Sequence, residues 1–191
     1  MPMNAPLVRD ERDGFVAFLQ HQRQAVHNAV YGLREDQARL RPTPSGLSLG
    51  GLVTHLLYGE RNWSDRIEGI PPAVNSFEQY MGSFELTEGE TLASVVAAYE
   101  QASARTDAIL GRADLDRRVP LPDEPWFPDP NGCTVRWIAF HLIEETARHA
   151  GHADLIREAL DGGLSGPLMA AAEGWPDEGW IKPWRAADSP R

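Results

Sequence analysis

The chain has 191 residues, enough for one domain with a full hydrophobic core and a short extension. Lys+Arg 18 against Asp+Glu 28 leaves a net charge of −10, which argues against nucleic acid and anionic membrane surfaces as partners. One cysteine, Cys133, excludes an internal disulfide framework and a Cys-based zinc cluster, and no apolar stretch reads as a signal peptide or membrane span, so a cytoplasmic protein is expected.

All 15 prolines fall outside four windows, residues 7–41, 45–70, 73–119 and 131–166. Proline inside a helix removes a hydrogen bond and clashes with the preceding turn, so these windows are where long helices can form. In the first, Phe15, Leu19, Val26, Val30 and Leu33 recur at helical spacing, with Gly32 near the end. In the second, Ser48 is the expected N-cap of a stripe through Leu49, Leu52, Leu56, Trp63 and Ile67, stopped by Gly69. The third is expected to start near Glu88–Glu90, carry Leu92, Val95, Val96, Tyr99, Thr106 and Leu110, and close at Gly111. The proline-rich stretch Val119–Asn131 reads as an extended loop. In the fourth window Cys133 or Thr134 can cap a helix running through Leu160 to a stop at Gly162-Gly163. Four amphipathic helices predict an all-α, up-down four-helix bundle over residues 1–162. Residues 163–191 read as an extension whose Trp175, Trp180 and Trp184 either pack on the bundle or a second subunit, or cover a site.

The last helix carries titratable groups on the face that should enter the core. At 100° per residue, His149 lies about 40° from Glu145 on one side, and His141 about 40° and His152 about 20° on the other. Ile138 and Ile156 share that face, whereas Glu144 points about 100° away. A buried carboxylate must be protonated, paired or bound to a cation. Glu145 and His149, at i and i+4, can reach one metal ion, and carboxylate with imidazole suits zinc and its neighbours. A simple Glu–His hydrogen bond or a salt bridge to an arginine of another helix would satisfy the same pattern. His55, at the margin of the second apolar stripe and flanked by Gly51 and Gly59 one turn either side, is the candidate third ligand. The two glycines could open room for a ligand. His21 and His27 read as surface or boundary residues.

The segments Glu11–Ala38, Pro44–Leu56, Glu60–Trp63 and Trp137–Glu158 together resemble the DinB-like superfamily of helical bundles. That group includes mycothiol-dependent maleylpyruvate isomerase and bacillithiol transferases, and the chain looks most like an actinobacterial domain-of-unknown-function branch. The resemblance spans about residues 8–162. It implies a four-helix bundle whose divalent metal is held by three side chains, matched here by His55, Glu145 and His149. Many members have histidine where this chain has Glu145, and the mycothiol-dependent isomerase branch has glutamate. His152 stands where many relatives carry glutamine and is expected to support a ligand or face the substrate.

Three protein ligands leave coordination positions open, the arrangement of a catalytic zinc. A thiol bound there is deprotonated at neutral pH. Because Cys133 is the only cysteine, that thiol would come from a low-molecular-weight cofactor, mycothiol or bacillithiol in the resembled family. Transfer to a small electrophile, or isomerisation of one, is the implied chemistry. Water activation for hydrolysis is the rival, with His152, His141 or Glu60 as its base, and a binding protein without turnover is a further alternative. Zinc is expected ahead of nickel, iron or manganese, and a homodimer is expected because bundles of this kind pair through their helices.

Overall fold

A computed structural model describes residues 3–122, 124, 127, 129 and 131–186, and among these seven helices and two short strands form. Helix α1 (Glu11–Val30) starts where the Asp10 carboxylate accepts a hydrogen bond from the Asp13 amide. It buries Phe15, Leu19, Val26 and Val30 as the periodicity predicts, but Leu33 lies beyond its end. The chain breaks at Tyr31 and Gly32, which adopts φ +69°, and a single turn, α2 (Glu35–Ala38), follows.

Helix α3 (Leu49–Glu68) begins on Ser48, whose Oγ accepts from the Gly51 amide at 3.1 Å, and stops at Gly69 with φ +75°. The short α4 (Phe77–Gly82) has no counterpart among the expected elements, because six residues are too few to show a helical period. Helix α5 (Leu92–Arg112) starts later than Glu88–Glu90, since Thr91 and Ser94 form the capping box. The Glu90 carboxylate instead accepts from the Thr87 amide (3.0 Å) and hydroxyl (2.7 Å). Nor does α5 close at Gly111; it runs to Arg112 and ends at Ala113.

Before the last long helix, β1 (Arg118–Val119) pairs antiparallel with β2 (Cys133–Thr134), so Val119 is strand rather than loop. This clasp needs Gly132, whose φ is +88° and whose Cβ, if present, would overlap the Val119 carbonyl oxygen. Of the intervening expected loop, residues 123, 125, 126, 128 and 130 lie outside the described residues. Helix α6 (Val135–Asp161) is capped by Thr134 Oγ1 on the Trp137 amide at 3.1 Å and stops at Gly162 with φ +75°.

Helices α1, α3, α5 and α6 form the bundle, with α1 on α6, α3 on α5, and the α3–α6 and α1–α5 contacts closing the ring. Its core is two apolar clusters. One holds Val26, Leu52, Leu56, Tyr99 and Ile156, and the other Phe15, Leu19, Ile67, Ile109 and Ile138. Polar groups occupy the level between them: Arg23 pairs with both Glu60 oxygens (2.6 and 2.8 Å) and with Asp107 (2.7 Å), and Ser64 bonds Thr106 at 2.9 Å.

The C-terminal segment is more ordered than an extended tail. Helix α7 (Ser165–Ala172) packs on α1 and buries Leu168 and Ala170 completely. Trp184 lies 4.6 Å from the Arg157 guanidinium, which also donates to the Ala29 and Tyr31 carbonyls at the end of α1, both at 2.8 Å. Trp175 is tied by its amide to the Ala170 carbonyl at 2.8 Å, and Trp180 is fully exposed. Trp184 thus packs on the bundle where α1 and α6 end, whereas Trp175 is held within the α7 segment.

Candidate metal centre

Helices α3 and α6 run side by side, and their facing rows carry the site. His55 comes from the second turn of α3, and Glu145 and His149 come from successive turns of α6. Both histidines are buried and Glu145 is partly exposed. Glu145 Oε1 lies 3.4 Å from His55 Nε2 and 3.2 Å from His149 Nε2, and the three potential ligand atoms are all within 4.8 Å of one another. Two atoms about 2.0–2.2 Å from a common ion stand about 3.3 Å apart at a tetrahedral angle, so these separations suit a shared cation.

A residue absent from the sequence reading decides how His55 presents itself. Ser83 Oγ donates to the Tyr80 carbonyl at 2.6 Å, which leaves its lone pair to accept from His55 Nδ1–H at 3.0 Å. The proton is thereby held on Nδ1, and the Nε2 lone pair faces the Glu145 carboxylate. Burial pushes the His55 pKa down and keeps the ring neutral, while hydrogen bonding, first of all by His149, holds the Glu145 carboxyl well below the usual carboxylate range. A neutral nitrogen lone pair aimed at an ionised carboxylate repels it unless a cation sits between them. This donor set therefore fits a divalent ion, and His55, Glu145 and His149 could hold one.

The surroundings brace that geometry. Phe84 stacks on His55 with ring centres 3.8 Å apart and an 11° tilt, and Tyr80 meets it edge-on at 5.5 Å. His152 Nδ1 lies 3.4 Å from His149 Nδ1, so it is placed to orient that ring. Ser83, Phe84 and Tyr80 reach the site because the segment after α4 crosses α3 at Gly50 and Gly51. A Cβ on Gly51 would overlap the Phe84 carbonyl oxygen, and one on Gly50 would lie 2.9 Å from Leu86. The expected room at Gly51 is thus filled by backbone, whereas beside Gly59 no atom of the described residues comes within 4 Å of a Cβ built there. The only hint in the sequence was the Gly50-Gly51 pair, which signals a close approach without naming what approaches.

The other candidates separate clearly. Glu60 is buried with both oxygens on Arg23 and receives Ser103 Oγ at 3.4 Å, so it belongs to the polar level inside the bundle and is not a free base. His141 stacks on Trp137 at 5.0 Å and meets Trp63 edge-on at 5.0 Å, and burial lowers its pKa. Glu144 is exposed and pairs only with Arg148, at 3.0 Å. His21 bonds the Met3 carbonyl at 3.1 Å, and His27 stacks on Tyr99 at 5.7 Å, both away from the centre. No helix of the described residues is long and apolar enough to cross a membrane.

Comparison with known proteins bears on the fold and the family. A crystal structure of a conserved protein from Enterococcus faecalis has the same fold, with a TM-score of 0.65 and 13% identity over 82% of this chain and 100% of that one. No curated protein matches the chain. The family model described as mycothiol-S-transferase matches residues 14–162, a span that holds α3, α5, α6 and all but the first turn of α1, with His55, Glu145 and His149. With three-quarters of its length in that match, the chain belongs to the mycothiol-S-transferase family, one of the DinB-like helical bundles.

Proposed function

We propose that this protein is a divalent-metal-dependent S-transferase, in which His55, Glu145 and His149 hold the ion and a low-molecular-weight thiol such as mycothiol is joined to a small electrophile. The observation that carries the reading is the His55 tautomer, fixed by Ser83, with its Nε2 lone pair aimed at the Glu145 carboxylate. Zinc is the preferred ion for this mixed nitrogen and oxygen set. When bound, such an ion supplies a Lewis acid that lowers the pKa of a thiol offered to its open position.

The chain's own residues do the rest. Ser83 keeps the His55 imidazole proton on Nδ1, His152 contacts the His149 ring through its Nδ1, and Phe84 and Tyr80 close one side of the His55 ring to water. Cys133 is buried at the start of α6, so the transferred sulfur comes from a second molecule. Family membership supports thiol transfer, and the engagement of Glu60 with Arg23 removes one base that hydrolysis would need.

The test is elemental analysis of protein purified without an affinity metal, beside Glu145→Ala, followed by assay with mycothiol and 1-chloro-2,4-dinitrobenzene. In that reaction a C–S bond forms, the C–Cl bond breaks, chloride leaves with the electron pair, and the thiol proton passes to solvent. About one metal per chain, absent from the variant, with turnover that needs both thiol and metal, is the expected result. Full metal in Glu145→Ala would overturn the ligand set, and turnover unaffected by chelator would overturn the metal dependence.

A further inference from the structure

Between α1 and α7 the fold leaves a cavity of about 140 Å³. None of the residues lining it belongs to α3 or α6, whose facing rows carry the metal centre. Gln24 and Asn28 line it from α1, and Ser165, Gly166 and Met169 line it from α7. Met3 adds a further wall, held over α1 where its carbonyl accepts from His21 Nε2 at 3.1 Å.

The polar groups around this space include donors that lack acceptors. Asn28 is only 7% exposed. Its Oδ1 accepts from Gln24 Nε2 at 3.0 Å, and its Nδ2 donates to nothing among the described residues. A buried amide donor of this kind calls for an acceptor from a ligand or water. The first turn of α7 brings two more donors to the same space, the Ser165 and Gly166 amides. Leu164, in the N-cap position, has no side-chain oxygen to accept from them, and the turn holds no acidic residue. Pro167 has no amide hydrogen, and the Leu168 amide is taken by the Leu164 carbonyl at 2.9 Å, so Ser165 and Gly166 are the open pair.

The lining residues include no Asp, Glu, Lys or Arg, so the partial positive charge at the start of α7 sets the sign of the site. It suits one negative charge, whereas a doubly charged phosphate would lack a countercharge. The remaining wall is apolar: the Met3 and Met169 thioethers adapt to a ligand's shape and make favourable contacts with flat rings. Elsewhere, an apolar cavity of about 150 Å³ accommodates benzene.

We infer that this cavity is a second ligand site, which takes a small monocarboxylate whose apolar body is about the size of a benzene ring. The carboxylate accepts from Asn28 Nδ2 and from the Ser165 and Gly166 amides, and the body lies against the two methionines. Such a ligand bridges α1 and α7 and clamps α7 onto the bundle. The site is separate from thiol transfer and stands whether or not the metal centre turns over.

The test is calorimetric titration of benzoate and of benzamide, its neutral analogue, into the full chain, zinc-loaded and EDTA-treated. Wild type is expected to bind benzoate about tenfold more tightly than benzamide, with or without zinc, and benzoate is expected to raise Tm. Ser165→Pro removes one amide and the hydroxyl yet suits the first position of a helix, and Leu164, extended at ψ 147°, accepts a following proline. That variant is expected to weaken benzoate about tenfold and to keep the Tm of the ligand-free protein. Asn28→Asp retains the acceptor for Gln24 and sets a negative charge where the donor stood, so benzoate binding is expected to vanish. Neither heat nor a Tm shift from benzoate at about 10 mM would overturn the inference. So would equal affinity for benzamide, or benzoate affinity unchanged in Ser165→Pro. Binding that disappears with EDTA also overturns it, since the carboxylate would then be on the metal. Should Asn28→Asp fail to fold, Ser165→Pro decides.

Discussion

Two glutamates enter this bundle near mid-height, and they are completed in different ways. Glu60 points inward and meets a guanidinium that satisfies both oxygens, with Asp107 on the same arginine. Glu145 sits on the rim between α3 and α6 and meets two imidazoles, one of which has its proton turned away by Ser83. The first arrangement is closed: each of its charged groups has a partner within the chain. The second has only imidazoles on its carboxylate among the described residues, and could take a divalent ion. Burial alone does not separate them, nor does residue type. The partner does.

The comparison breaks most visibly in stability. Glu60→Gln leaves Arg23 buried beside a neutral amide, and the expected loss is about 3–5 kcal/mol, a drop in Tm of roughly 10 °C or more. Glu145→Gln, measured in EDTA, should change stability by about 1 kcal/mol or less, because no buried cation is orphaned. Equal losses in thermal melts would mean that both carboxylates are structural. Added zinc sharpens the contrast: at about a hundredfold over its Kd it should stabilise wild type and Glu60→Gln by about 2.7 kcal/mol and leave Glu145→Gln unmoved.

A smaller effect is expected one step from the ligands. Ser83→Ala frees the His55 ring to put its proton on Nε2, and zinc affinity, read by competition with a chromophoric chelator, should fall about 10–100-fold. Gly51→Ala should cost at least as much affinity, because it displaces the Phe84 carbonyl and the segment that carries Ser83. Unchanged affinity in both would show that Ser83 does not orient the ligand.

The smallest effect is in pH dependence. Burial lowers the pKa of His27, His55 and His141, so between the folded and unfolded values the unfolded chain binds more protons. In metal-free protein this stability is complete above about pH 6.5, the unfolded value, and is lost as pH falls through the folded values. His27→Gln, remote from the centre, should flatten that slope in denaturant titrations and leave the pH of metal release unchanged. A steeper slope would contradict the burial argument.

The helices and their caps were legible because they are local. Ser48, Gly69, Thr134 and Gly162 act within one turn of themselves, and proline excludes helix wherever it stands. Glu145 and His149 were legible for the same reason, since four residues along a helix is a fixed distance in space. The start of α5 was misread because acidic residues and Thr91 both signal a helix N-terminus, and the side chain that bonds the amides prevails. His55 entered the sequence reading on its neighbours and on family resemblance, without a spacing argument of its own.

Local chemistry sets the four long helices, the stops at Gly69 and Gly162, and the face of the last helix on which a carboxylate sits among apolar neighbours. Packing selects which glutamate meets a guanidinium and which stays open. Arg23 is 37 residues from Glu60 in sequence, and Ser83 is 28 from His55. No periodicity relates positions so far apart, because their meeting depends on how α3 packs on its neighbours and on a backbone crossing that two glycines permit.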